Sequence, residues 1–225
     1  MDKIDKKFFY SNFPFRPLSQ SQVNAIDFIL DSFDSDDDMV SLRWLAYILA
    51  TVKHETAETY EPVTEAYYLK PESKRISALT RMYRSRSTII RNGEAYFYGR
   101  GYVQLTHDYN YKSMTRKFGV DFYNNPDKAL EPVYAIKIMF YGMLFGSFTG
   151  KRLSNYFNDS KTDWVNARRI INGLDRANLI GSYARKFYGC LKFVEEPTAH
   201  KAINERLPDP ALEKAEAEQP TTLIT

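Results

Sequence analysis

Glu55 is the residue whose surroundings most favour chemistry. It follows Val52 by three residues and Ile48 by seven, so it continues the apolar stripe of its helix. A carboxyl on such a stripe loses water, and desolvation favours the neutral form that a general acid needs. The plainer alternative is a helix-end glutamate paired with Lys53 or a nearby arginine. If the bond to be broken is glycosidic, a second carboxylate must stand on its other face. Glu58, Glu61 and Glu65 all follow within ten residues of Glu55. Glu58 is one helical turn on, points the same way, and reads as solvated surface. Glu65 lies beyond Pro62, on a separate segment able to cross a cleft. That makes it the better base, and spacing leaves Glu61 open.

A second stretch, Tyr96-Phe97-Tyr98-Gly99-Arg100-Gly101-Tyr102-Val103-Gln104-Leu105-Thr106, is unusual in composition. Two glycines around an arginine allow tight backbone turns and close approach to another group. Tyrosines offer flat faces and hydroxyls suited to sugar rings. On an extended strand Gln104 and Thr106 fall on one face, where both can address one ligand. A Tyr-rich hairpin packed on the core, with Thr106 capping the next helix, fits the same residues equally well.

Other chemistries have little to work with. His54-Glu55 begins the zinc motif H-E-x-x-H, but its fifth position is Glu58, and the chain has 3 His and 1 Cys. No metal or organic cofactor is expected, and Cys190 alone excludes an internal disulfide. A net charge of +3 is too mild for a dedicated nucleic-acid binder. The basic run from Lys70 to Arg91 sets seven cations against Glu72 but interleaves only Tyr83, so no nucleic-acid partner is expected. The charged N-terminus leads into no apolar signal segment, and the apolar run Ile138 to Phe148 is too short to span a bilayer. A soluble, reduced, cytoplasmic protein without stable membrane insertion is the expectation.

The elements that must hold these residues are mostly helical. Ser19 or Ser21 can cap a helix carrying Val23, Ile26, Ile29 and Leu30, ended by the acidic stretch Asp34 to Asp38. A second helix runs from about Ser41 to His54-Glu55, before Pro62. Ala129 to Phe148 is apolar nearly all round, as a central buried helix would be. Asp163 can cap a short helix ending near Gly173, and Asp175 the next, with Leu179, Ile180, Tyr183, Phe187 and Leu191. Only Ala95 to Leu105 reads as extended, a small hairpin. The expected fold is mainly α (α+β), one domain over residues 1–194, followed by a polar, proline-bearing flexible tail over 195–225.

The strings His54-Glu55-Thr56, Tyr98-Gly99-Arg100-Gly101-Tyr102-Val103-Gln104-Leu105-Thr106-His107-Asp108-Tyr109-Asn110-Tyr111, Asn125-Pro126 and Ile170-Ile171-Asn172-Gly173 together resemble glycoside hydrolase family 19. That family contains plant-type chitinases and bacteriophage endolysins. Order and approximate spacing agree over roughly Leu42 to Leu191, and the central block is the specific part. The resemblance implies a lysozyme-like helical domain with Glu55 as general acid and Thr106 holding the attacking water. It implies that Gln104, Asn110 and Asn172 line the sugar cleft, with Tyr98 gripping glycan and Arg100 in a charged network. Phage-type members carry the second glutamate a short way along the chain, which favours Glu65. Ala57-Glu58 stand where many members have two glycines.

Without disulfides or a signal peptide, the chain is similar to the phage branch. The implied function is an endolysin that cleaves β-1,4 bonds of peptidoglycan glycan strands by inversion. It would act as a monomer, made in the host bacterial cytoplasm and reaching the wall by holin-type release. A chitinase on N-acetylglucosamine polymer is the nearest alternative. A non-catalytic glycan-binding or virion structural protein is another, and the presence of both carboxylates and Thr106 counts against it.

Overall fold

In the computed structural model, which describes residues 3–194, helices start where a polar cap precedes an apolar repeat. Asp5 caps a short α1 (Lys6–Ser11), accepting from the Phe8 N–H. Ser19 caps α2 (Gln20–Asp34) in a reciprocal box with Gln22, and Ile26, Ile29, Leu30 and Phe33 form its buried stripe. Ser41 precedes α3 (Leu42–Glu55). The remaining helices are α4 (Glu72–Tyr83), α5 (Asp108–Phe118), α6 (Pro132–Phe145) and α7 (Ala177–Gly189).

The most enclosed segment differs from expectation. Every residue of α3 from Leu45 to Lys53 is buried, and α7 packs along it. Helix α6 buries Ala135, Ile136, Met139 and Met143 but leaves Val133 and Phe145 more than half exposed. Phe9, Phe13 and Phe15 close one end of the α3–α7 layer around Phe187. Asp163 accepts from the Asn166 N–H, and the short helix there is a 3₁₀ turn over Asn166–Ile170. Asp175 does not cap α7. Arg176 stands before it in the left-handed region at φ 56°, with no side-chain cap.

Three two-stranded antiparallel pieces complete the fold. Strand β1 (Val63–Thr64) pairs with β4 (Arg100–Gly101), Val63 opposite Gly101. Strands β2 (Ile90–Arg91) and β3 (Glu94–Ala95) form a hairpin, and β5 (Phe157–Asn158) pairs with β6 (Lys161–Thr162). The single hairpin expected over Ala95 to Leu105 is therefore corrected. Its first residue, Ala95, pairs upstream with Ile90, because Asn92-Gly93, both at positive φ, make a tight two-residue turn there, and Arg100-Gly101 pair with β1. Within that stretch only a narrow loop closes, with Arg100 and Leu105 exchanging backbone hydrogen bonds.

The fold is mainly α with small β elements, as expected. The described residues up to Lys192 form one compact unit. The tail expected over 195–225 lies outside the described residues. No helix among the described residues is long and apolar enough to cross a membrane.

Candidate active site

Glu55 is the last residue of α3, where a carboxylate meets the negative end of the helix dipole. The compensating charge is Arg168, whose Nη1 donates to Glu55 Oε1 at 2.5 Å. Arg168 is itself 3% exposed, and its Nε donates to the Asp175 carbonyl at 3.1 Å. Glu55 Oε2 takes no hydrogen bond from the described residues. Burial holds the neighbouring His54 imidazole below its usual range, with the Glu55 carboxylate opposing.

The helix stops after Glu55, ahead of Pro62, and the reason is local. The buried Thr56 hydroxyl donates to the Val52 carbonyl and accepts from the Tyr60 N–H, folding the chain back on itself. Ala57, Glu58 and Tyr60 then adopt positive φ of 49°, 68° and 59°. Glycine would adopt these backbone angles at no steric cost. Glu58 is not the solvated residue expected. Its carboxylate bridges Lys53 at 2.8 Å and Arg16 at 3.1 Å, and the Lys53 hydrogen bond holds its carboxyl below the usual range. Lys53, 4% exposed, lies 4.3 Å above the Phe15 ring. Glu58 therefore anchors a buried cation.

Glu61 and Glu65 part company. Glu61 accepts from Ser21 Oγ at 2.5 Å and faces the start of α2. Glu65 follows β1 and turns into the cleft that contains Glu55. Its Oε1 accepts from the Tyr83 hydroxyl at 2.5 Å and its Oε2 from the Gly99 N–H at 2.9 Å. The Glu65 N–H in turn donates to the Gly99 carbonyl at 2.8 Å. Burial and Glu65 push the Tyr83 hydroxyl up, so it stays a donor.

The glycine-arginine-glycine block positions its neighbours by what it lacks. A Cβ on Gly99 would lie 2.7 Å from Gln104 Oε1. At Gly101 a Cβ would lie 2.8 Å from the Ala129 carbonyl oxygen, at a φ of +86°. Gln104 Nε2 donates to the carbonyls of Val63 and Gly101 at 3.0 and 3.2 Å. Thr106 Oγ1 donates to the Gln104 carbonyl at 2.8 Å, so towards a ligand it offers lone pairs. Asn110 Nδ2 donates to the Thr106 carbonyl at 2.7 Å, and its Oδ1 takes no hydrogen bond from the described residues. Asn172 Oδ1 accepts from the Gly173 N–H.

The structure brings Glu55, Glu65, Gln104, Thr106, Asn110 and Asn172 to one cleft of about 480 Å³. It does not bring Tyr98 or Arg100 there, which corrects both expectations. Tyr98, 2% exposed, packs with Leu79, Ile89 and Ala95 beneath α4. Arg100, 3% exposed, ties Asp127 at 2.6 Å and the Tyr96 and Tyr98 carbonyls. Both stabilise the scaffold under the glycine block. Thr106 caps no helix, since α5 starts after His107 at φ 74°.

Arg168, Tyr83 and Phe148 join the site unannounced by the sequence, and Arg86 of the basic run from Lys70 to Arg91 lines it too. A buried acid implies some cation, yet nothing local separates Arg168 from Arg169. Phe148 reaches the cleft past Gly142, where any Cβ would collide with its ring. A larger cavity of about 780 Å³ lies between α2, α5 and α6 and contains none of the expected site residues. Among the described residues no group of three or more His, Cys, Asp or Glu could hold a metal.

Fold and site define a helical domain with two carboxylates from separate segments facing one polar cleft. The family model for chitinase class I, glycoside hydrolase family 19, matches residues 20–147, more than half of the chain, and the chain belongs to that family. Over 46 residues it is 50% identical to Endochitinase 4 of Solanum tuberosum and to Endochitinase B of Nicotiana tabacum. That stretch covers 20% of this chain and only 15% and 14% of theirs. In fold it is similar to chitinase C from Streptomyces griseus HUT6037, with a TM-score of 0.50 and 19% identity over 82% of this chain and 76% of that one.

Proposed function

We propose that the protein hydrolyses β-1,4-glycosidic bonds of bacterial peptidoglycan, as a phage-type endolysin, by an inverting acid/base reaction. The observation that carries this reading is the meeting of Glu55 and Glu65 in one cleft with Gln104, Thr106 and Asn110. Glu55 gives its proton to the glycosidic oxygen as the C–O bond breaks. Glu65 takes a proton from the water that attacks the anomeric carbon on the other face. An inverting site keeps its carboxyls roughly 6.5–9.5 Å apart to admit that water. Thr106 accepts a hydrogen from the water, which turns one of its lone pairs towards the sugar. Asn110 and Asn172 hold hydroxyl and acetamide groups of the glycan.

The cation Arg86 on the cleft wall, within the basic run from Lys70 to Arg91, supports an anionic glycan. Long-range attraction from that run would raise the local concentration of wall fragments. The protein would act as a monomer without cofactor, synthesised in the host cytoplasm and released to the wall through a holin-type route. A chitinase is the second reading, and the endochitinase relatives over 46 residues favour it.

The test is the clearing of outer-membrane-permeabilised Gram-negative cells, with colloidal chitin in parallel. Lysis of walls supports the endolysin. Chitin cleavage without lysis moves the assignment to a chitinase. Binding to glycan with neither activity would leave a non-catalytic glycan-binding or virion protein.

A further inference from the structure

Among the described residues that line the cleft, Arg86 is the one arginine. Arg75, Arg100 and Arg168 each pair with a carboxylate, of Glu72, Asp127 and Glu55 respectively. Arg86 lines the cleft and has no carboxylate within 4.0 Å among the described residues. The obvious internal partner, Glu65, is already held on both oxygens, by Tyr83 and by the Gly99 N–H. The backbone of Arg86 is held in place, and its side chain is exposed. Its N–H donates to the Tyr83 carbonyl at 2.8 Å, and its own carbonyl accepts from the Ile89 N–H at 2.9 Å. Its guanidinium carbon stands 5.6 Å from the centroid of the Tyr83 ring, the same ring whose hydroxyl orients Glu65.

We infer that Arg86 is a specificity-determining residue that binds a carboxylate of the glycan on the Glu65 side of the cleft. This rests on the peptidoglycan reading and names the feature of that substrate that the cleft would select. A neutral N-acetylglucosamine polymer offers hydroxyls and acetamides but no anion for a guanidinium. Peptidoglycan offers two kinds of carboxylate. One is on the stem peptides, and the other is the lactyl group once the peptide is removed. A planar guanidinium with several donors grips either one in two-pronged fashion. Within cation-π reach of Tyr83, it also loses less freedom on binding than an unsupported arginine would.

Binding is measured in a Glu55→Gln background, so that the glycan stays uncut. Dissociation constants at low salt are compared for that variant and for the same variant carrying Arg86→Gln or Arg86→Lys. The ligands are glycan strands bearing stem peptides, amidase-stripped strands with free lactyl groups, and chitohexaose. Arg86→Gln should weaken a carboxylate-bearing strand by about two- to fivefold, as loss of an exposed ion pair does. Chitohexaose binding should be unchanged, and Arg86→Lys should recover only part of the loss, since it keeps the charge without the two-pronged grip. The strand that loses more identifies the carboxylate. The difference should shrink with added salt.

Unchanged binding of both carboxylate-bearing strands by Arg86→Gln overturns the inference. So does an equal loss on chitohexaose, which would make Arg86 a packing residue. A protein that shows the charge selectivity but clears no cell walls would sink the lytic reading and keep this one.

Discussion

Arg168 Nη1 meets Glu55 Oε1 at 2.5 Å, joining the end of α3 to a residue 113 positions later. The pair ties the 3₁₀ turn at Asn166–Ile170 to the candidate acid, and the Asp175 carbonyl fixes the guanidinium from its other side. The bond to Oε1 sets the rotamer of Glu55, so the direction of the free Oε2 is set by Arg168.

Substituting Arg168 should therefore damage activity through geometry. Arg168→Lys keeps the charge but cannot reach both Glu55 and the Asp175 carbonyl from one planar group. A misplacement of about 1 Å costs on the order of 10²-fold. Lysis rate should fall at least tenfold, with a modest loss in melting temperature. Arg168→Gln should lose more stability, because Glu55, only 14% exposed, is left without its cation. Wild-type lysis by Arg168→Lys would show that the pair does not aim the acid.

The three glutamates after Glu55 should separate by measurement. Glu65→Gln should reduce turnover nearly as much as loss of the acid, while its melting temperature stays near wild type. Glu61→Gln loses one exposed hydrogen bond with Ser21 and should be mild. Glu58→Gln should leave turnover nearly intact and lower the melting temperature, since buried Lys53 then loses its carboxylate. Turnover that depends on Glu61 and ignores Glu65 would transfer the base to the α2 side.

Acid should weaken the fold in two stages. His54 is held below its usual value of 6.5 by burial, so the unfolded chain binds its proton more readily than the native one. Stability is unaffected by His54 above the unfolded value and falls as pH drops through it towards the lower folded one. Glu58 is depressed by Lys53, so its contribution is present above the unfolded carboxyl value and lost as pH falls through the folded one. His54→Gln should flatten the fall in melting temperature between about pH 7 and pH 5 and leave the more acidic loss in place. A His54→Gln slope identical to wild type would count against the first stage.

What the sequence disclosed depended on whether the physics was local. Helices α2 and α3 were legible because Ser19 and Ser41 precede apolar stripes that recur each turn. Helix α4 was hidden by its cations. Its core contact is Leu79, with Ile76 and Tyr83 half-buried beside it. The Asn92-Gly93 turn carried a strong hairpin signal, overshadowed by the tyrosines downstream. Spacing and the Pro62 break put Glu55 and Glu65 on separate segments, and only the fold shows that both line one cleft. Tyr98 and Arg100 were misplaced because a Tyr-Gly-Arg-Gly string resembles a ligand-facing loop. Tertiary folding turns those two side chains onto Leu79 and Asp127 instead. The Glu55–Arg168 and Glu65–Tyr83 contacts arise only when distant segments meet, and no spacing encodes them.

The central claim is that Glu55 is the proton donor, and one substitution tests it most directly. Glu55→Gln keeps the shape of the side chain and a carbonyl oxygen for Arg168, but it has no acidic proton to give. Clearing of permeabilised Gram-negative cells should slow by about 10²–10⁴-fold, the usual worth of general acid catalysis. Thermal unfolding measured on the same sample should stay close to wild type. A folded Glu55→Gln protein that clears cell walls at the wild-type rate would contradict the account.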